Sequence, residues 1–248
     1  MASQPDLFID RALVESIPVS RVRWKAAYRL VPSRWPPIDV FERVADADDW
    51  ELLYELEALT NPRLRQEAGE ISLVPPARRV TGPGASVVMA PFTHASPDRP
   101  TRFSDGTYGV YYAANRFETA LREVAFHMSL FYGATEDPPQ NEAYRTYRGA
   151  VDALMHDLRK GDWSMFLDPD VGTYRRPQEL GRHLREAGSN GLVYPSVRHY
   201  KGQCIGAFWP DVVGIPIQTK HIMLKWDGER ISAWFDYETE RWERLSLP

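Results

Sequence analysis

Between Thr107 and Phe131 the chain changes its period. TYGVYYAA (Thr107–Ala114) is rich in aromatic residues and valine, as a strand is. From Asn115 onward the apolar positions Phe117, Ala120, Leu121, Val124, Ala125 and Met128 recur at helical spacing. Asn115 with Glu118 three residues later reads as a capping box, which predicts a helix over 116–131. A strand passing directly into an amphipathic helix points to a mixed architecture.

The remaining patterns agree. Arg21–Val31 reads as a strand halted by Pro32, and Pro36-Pro37 marks a loop. Trp50, Leu53, Leu56 and Leu59 predict a helix near Asp46–Leu59, ended by Asn61-Pro62. Thr81–Ala85 (TGPGA) is a turn cluster, and SVVMA after it reads as a short strand. Residues 93–106 and 133–142 read as loops. AYRTYRGAVDALM is a strand. Pro177–Ala187 is a helix with proline in its first turn and Gly188 just past its end. GLVYPSV, QCIGAFW, IQTKHIMLKW and RISAWFDY are strands, the last two joined by a hairpin at Asp227-Gly228. The predicted class is α+β, strand-rich with a few flanking helices and non-local pairing. The 248 residues are expected to form one domain, with Ser33–Val80 as an insertion.

Composition narrows the function. Hydrophobic residues make up 43% and charged residues 26%, the balance of a globular chain rather than a disordered one. A formal net charge of -4 argues against a general nucleic-acid binder but permits a local positive pocket. A single cysteine, Cys204, allows no intrachain disulfide. Asp6 and Asp10 precede any apolar run, the wrong order for a secretory signal. No stretch has the length of a membrane span. The expected location is the cytoplasm.

Common catalytic signatures are missing. The six histidines show no H-x-x-x-H spacing and there is no second cysteine, so no metal site is expected. There is no G-x-S-x-G elbow and no P-loop. Gly82 and Gly84 begin a G-x-G that no third glycine completes.

Three stretches together resemble the RES-domain family. They are Tyr28-Arg29-Leu30, the block RFSDGTYGVYYAANRFETALREVAFH (Arg102–His127), and GLVYPSVRH (Gly191–His199) with its Pro195-Ser196. TGPGA at 81–85 fits the family's small glycine-rich turn. The chain departs from the pattern in two ways: the Ser33–Val80 insertion, and Phe103-Ser104 where the family has Trp-Asn after the second arginine. The resemblance implies an ADP-ribosyltransferase-like fold, with sheets around a cleft that takes NAD as substrate and no separate cofactor. It implies a toxin that cleaves the nicotinamide–ribose bond by glycohydrolysis or phosphorolysis. The alternative is transfer of ADP-ribose to a protein target. The implied partner is an Xre-type helix-turn-helix antitoxin. Neither direct nucleic-acid binding nor membrane contact is implied, and homo-oligomerisation stays open.

On this resemblance the catalytic residues are Glu123 and Arg29. Substrate binding falls to Arg29, Arg102, Tyr112 and Ser196. Each also has an ordinary reading. Arg29 could be an edge-strand arginine or a fixed, always-charged fork for a pyrophosphate. Arg102 has the same two alternatives. Tyr112 could be a core aromatic or a platform for the nicotinamide ring, and Tyr111 must face the opposite side. Glu123 falls off the apolar stripe, beside Arg116, Thr119 and His127, which by itself describes a solvated helix face. Ser196 could bond its own backbone in a turn, or bond NAD. No His–acid pair surrounds it in sequence, which argues against a nucleophile. His127, one turn from Glu123, could orient it or pack at the cleft edge.

Overall fold

A computed structural model describes residues 9, 11–34 and 69–246. The helix expected over Asp46–Leu59 lies outside these residues. Among them a short helix α1 (Arg11–Ser16) precedes β1 (Val19–Pro32). Then come α2 (Ala85–Thr93), β2 (Tyr111–Ala114), α3 (Phe117–Ala134), β3 (Gln140–Asp157) and α4 (Arg175–Glu186). The chain finishes with β4 (Gly191–Pro195), β5 (Gln203–Ala207), β6 (Ile217–Trp226), β7 (Ile231–Asp236) and β8 (Arg241–Arg244). The class is α+β, as the sequence predicts.

The sheet is organised around β3. One edge of β3 pairs antiparallel with β1, from Val19↔His156 to Pro32↔Tyr144, with a register slip between Trp24 and Ala27. Its other edge pairs with β6, and its last residues pair in parallel with β4. β4 pairs with β5, β5 with β2, and β2 returns to β1 at Tyr28↔Ala114. The strands β1, β2, β5, β4 and β3 therefore close a circuit, and β6–β7–β8 extend from β3 as an antiparallel meander. The β1–β2 closure holds at one register only. Beyond it the two strands diverge, and this divergence opens the sheet toward α3.

Apolar residues are buried in two clusters. One is built from Leu30, Phe103, Leu121, Ala125, Tyr144, Leu180, Leu184 and Trp226, under α3 and α4. The other joins Val22, Ala85, Met89, Phe92, Tyr111, Val151 and Ile205, under α2. Tyr111 and Tyr112 go to opposite sides as β geometry demands.

Two expectations are corrected here, and one strand is added. SVVMA belongs to α2 rather than to a strand. Gly84, at φ +86°, makes the left-handed turn that starts the helix. Ala85, Val88, Met89 and Phe92 are then buried at helical spacing. Asn115 is not the cap of α3: Arg116 holds that position, and no side chain caps it. Asn115 instead accepts from Gln203 N–H at 3.0 Å, closing the end of the β2–β5 pair. β8 was not anticipated, because Arg-Trp-Glu-Arg is exposed along its whole length and shows no apolar alternation.

The Asp227-Gly228 hairpin is as expected. Gly228 sits at φ +104°, and the Asp227 carboxylate accepts the N–H groups of Glu229 and Arg230. At the far end of β3 the fully buried Asp157 accepts a two-toothed contact from Arg159 at 2.8 Å on each oxygen. That pair fixes the corner where β3 passes β4.

Candidate active site

The divergence of β1 from β2, covered by α3 and by the 100–102 and 171–178 segments, leaves a cavity of about 630 Å³. Arg29, Arg102, Tyr112 and Glu123 all line it. Four side chains scattered over the sequence are thereby brought to one place.

Arg29 stands where the β1–β2 ladder stops. Its Nη1 donates to the Tyr112 carbonyl at 3.0 Å, a side chain completing what backbone pairing leaves open. Its guanidinium lies 4.8 Å from the centre of the Tyr111 ring. Its Nε is buried and has no hydrogen-bond partner among the described residues. Burial lowers its pKa, and Tyr111 and Tyr112 oppose the shift. An arginine starts so high that it stays charged.

Arg102 is buried and largely engaged. Nη1 donates to the carbonyls of Phe166 and Asp168 at 3.2 and 2.8 Å, and Nη2 to the Tyr174 hydroxyl at 3.4 Å. The guanidinium also covers the Tyr174 ring at 4.6 Å. It ties the 166–174 segment to the cavity wall while its charge faces the cleft. The Tyr112 hydroxyl is held by Thr101 Oγ1 at 2.9 Å and by Phe103 N–H at 3.0 Å, so its ring has a fixed attitude at the cavity.

Glu123 is only partly exposed, and Oε1 accepts from Ser196 Oγ at 2.6 Å. The Cys204 thiol also approaches Oε1, at 3.7 Å. Ser196 Oγ accepts in turn from the N–H groups of Arg198 and His199, both at 3.1 Å. With those acceptor directions filled, the hydroxyl proton is aimed at the carboxylate. The turn-serine reading of Ser196 is realised, and the same hydroxyl also bonds Glu123. The His199 ring bonds Thr119 Oγ1 at 2.8 Å and lies 3.6 Å from Glu118. It makes no contact with the Ser196 hydroxyl of the kind a Ser–His pair requires.

His127 lines the cavity at its rim. Solvent reaches the ring, yet protein surrounds it on the cleft side. Burial first, then the charges of Arg198 and Arg102, push its pKa down to about 4. It is neutral near pH 7, and it packs edge-on to Phe126 rather than bonding Glu123.

Two neighbours of the site were missed in the sequence. Arg198 is buried, with its guanidinium 3.3 Å from the centre of the Phe126 ring and a hydrogen bond to the Pro169 carbonyl. Its position two residues after Ser196 was the available signal. Cys204 lines the cavity, and burial followed by the Glu123 charge holds its thiol well above the ordinary range. A lone cysteine in the sequence speaks to disulfide formation and carries no signal of this placement. The 81–85 turn, by contrast, launches α2 and does not line the cavity.

Among the described residues no group of three His, Cys, Asp or Glu side chains could hold a metal ion, and no helix is long and apolar enough to cross a membrane.

The family model of the RES domain matches residues 76–227. The chain belongs to the RES-domain family. This RES domain is 32% identical over 213 residues to y4oC of Sinorhizobium fredii (strain NBRC 101917 / NGR234), a protein described as uncharacterized, covering 85% of this chain and 87% of that one. It is also similar to a chain in the crystal structure of the M. tuberculosis MbcT–MbcA toxin–antitoxin complex, with a TM-score of 0.45 and 14% identity over 88% of this chain and 94% of that chain. Arg102, Tyr112, Glu123 and Ser196 fall inside the span of the RES model. Arg29 precedes it and lines the cavity from β1.

Proposed function

We infer that this RES domain is a toxin that cleaves the nicotinamide–ribose bond of NAD as a glycohydrolase or phosphorylase. The observation that carries the reading is the convergence of Arg29, Arg102, Tyr112 and Glu123 on one cavity, with Ser196 bonded to Glu123. The cavity's volume falls within the ~300–1,000 Å³ range of small-molecule sites.

The chemistry needs few groups. The C–N bond breaks with both electrons going to the nicotinamide nitrogen, so a cationic ring leaves as a neutral molecule. Positive charge appears on the ribose as an oxocarbenium-like centre. The Glu123 carboxylate stabilises that centre and holds a ribose hydroxyl, and Ser196 keeps the carboxylate in position. No general acid is required, and one carboxylate suffices. Arg29, whose guanidinium keeps donors beyond its bond to Tyr112, supplies the fork for the pyrophosphate, and Arg102 adds charge. The Tyr112 ring offers a face to the pyridinium cation. Water or phosphate then captures the ribose.

The toxin acts in the cytoplasm and is neutralised by an Xre-type helix-turn-helix antitoxin. The test is expression in a bacterium with NAD measured alongside growth. Growth arrest with falling NAD, relieved by the antitoxin, is expected. Arrest at unchanged NAD contradicts NAD destruction. The cavity mouth, where Leu130 and Val171 reach solvent, also gives access to a protein acceptor. Retention of the adenylate label of NAD on a protein would identify that outcome as ADP-ribosylation.

A further inference from the structure

The cavity is chemically two-sided. The charged side chains that line it are Arg29, Arg102 and Glu123. Beyond them its lining continues through Leu30, Pro32, Met128, Leu130 and Tyr144, none of which is charged. We propose that this apolar end seats the adenine base of the substrate, so that the dinucleotide lies along α3 with its nicotinamide ribose at Glu123. The proposal rests on the NAD reading above.

Spacing supports it. Glu123, His127 and Leu130 are separated by four and three residues, so they form one row along α3. Seven residues of helix place Leu130 about 10 Å along the axis from Glu123. In that direction β1 ends at Pro32, which pairs with Tyr144 across the sheet. A pyrophosphate and a second ribose separate the reacting carbon from the base, and the charged middle of the cavity is where those phosphates then fall.

The apolar end also has a fixed wall. The Tyr144 hydroxyl donates to Glu142 at 2.9 Å. Glu142 is in turn held by the Tyr132 hydroxyl and by Arg34 at 3.0 Å. Tyr144 is 1% exposed, so its fixed ring is a rigid, preformed backing to this end of the cavity, behind the more open Leu130. Leu130 is 42% exposed although it faces this cavity. A purine lying against it would remove that apolar surface from water. His127 stands between the two ends and is neutral near pH 7, so it places no further charge beside the base.

The test uses Leu130→Asp, whose position is open enough that the fold should tolerate it, with Leu130→Met as the conservative control. Steady-state nicotinamide release from NAD is measured alongside calorimetric binding of ADP-ribose. For Leu130→Asp the KM for NAD should rise and the ADP-ribose affinity should fall, each by roughly 10-fold. The kcat should be little changed, and Leu130→Met should restore both values. Unchanged KM and unchanged ADP-ribose affinity would overturn the assignment. So would a loss confined to kcat, or loss only of binding to an antitoxin protein. The parent reading fails differently: the wild type would release no nicotinamide. If the wild type still binds ADP-ribose, the calorimetric comparison decides the base site without turnover. If it binds none, both readings fall together.

Discussion

Ser196 Oγ lies 2.6 Å from Glu123 Oε1, and the N–H groups of Arg198 and His199 occupy the other side of the hydroxyl oxygen. Two backbone donors thus act on the carboxylate through one side chain. Ser196→Ala leaves Glu123 chemically intact and removes its orientation. Steady-state kinetics should show kcat for nicotinamide release falling ~10–100-fold, the scale of a small misplacement. KM for NAD should change little. A loss mainly in KM would make Ser196 a substrate contact instead.

Arg29 should separate from Glu123 by the parameter it moves. It serves ground and transition states alike, so Arg29→Ala should weaken NAD binding first. Arg29→Lys should not rescue it. The present guanidinium reaches the Tyr112 carbonyl with Nη1 and keeps further N–H donors in the same rigid plane, and one ammonium point charge cannot copy that fork. Calorimetric titration with NAD measures both variants. Wild-type affinity in Arg29→Lys contradicts the clamp.

Arg102 should be the least stable position to change. Its donors hold the Phe166 and Asp168 carbonyls in a buried setting, and truncation orphans both. Arg102→Ala should cost about 1.5–3 kcal/mol, the range for hydrogen bonds to a charged group. Chemical denaturation of the variant against wild type measures this. An unchanged midpoint would mean that Arg102 serves the ligand alone.

These contrasts mark what the sequence could and could not reveal. The α3 stripe was legible because Leu121 and Ala125 obey a 3.6 period that burial enforces. Glu123 looked solvated for the same reason: a helical wheel separates core from non-core and cannot distinguish bulk water from a cleft. Arg29 looked like an edge residue because nothing local reveals that β1 meets β2 at a single register. Val87 and Val88 suggested a strand, yet Gly84 and the packing of Met89 and Phe92 made a helix. The Arg198–Phe126 contact joins residues distant in sequence, and no local pattern announces it.

His127 gives a pH prediction. Its folded pKa of about 4 lies below the ordinary 6.5. The folded state therefore binds fewer protons than the unfolded chain between those values. The stability carried by the neutral ring is complete above about 6.5 and declines as pH falls toward 4. As pH drops through that window, the denaturation midpoint of the wild type should fall relative to that of His127→Gln. Nicotinamide release should show no inflection near 6.5 that His127→Gln removes. Such an inflection would place a titrating His127 in the reaction.

The central claim is that the Glu123 carboxylate stabilises charge developing on the ribose. Glu123→Gln keeps size and hydrogen-bonding reach and removes that charge. Nicotinamide release under saturating NAD is the direct measurement, with calorimetric NAD binding as its companion. The account predicts a ~100–1000-fold fall in turnover, the usual effect of losing one well-aimed electrostatic group, with NAD binding retained. Full turnover in Glu123→Gln would contradict it.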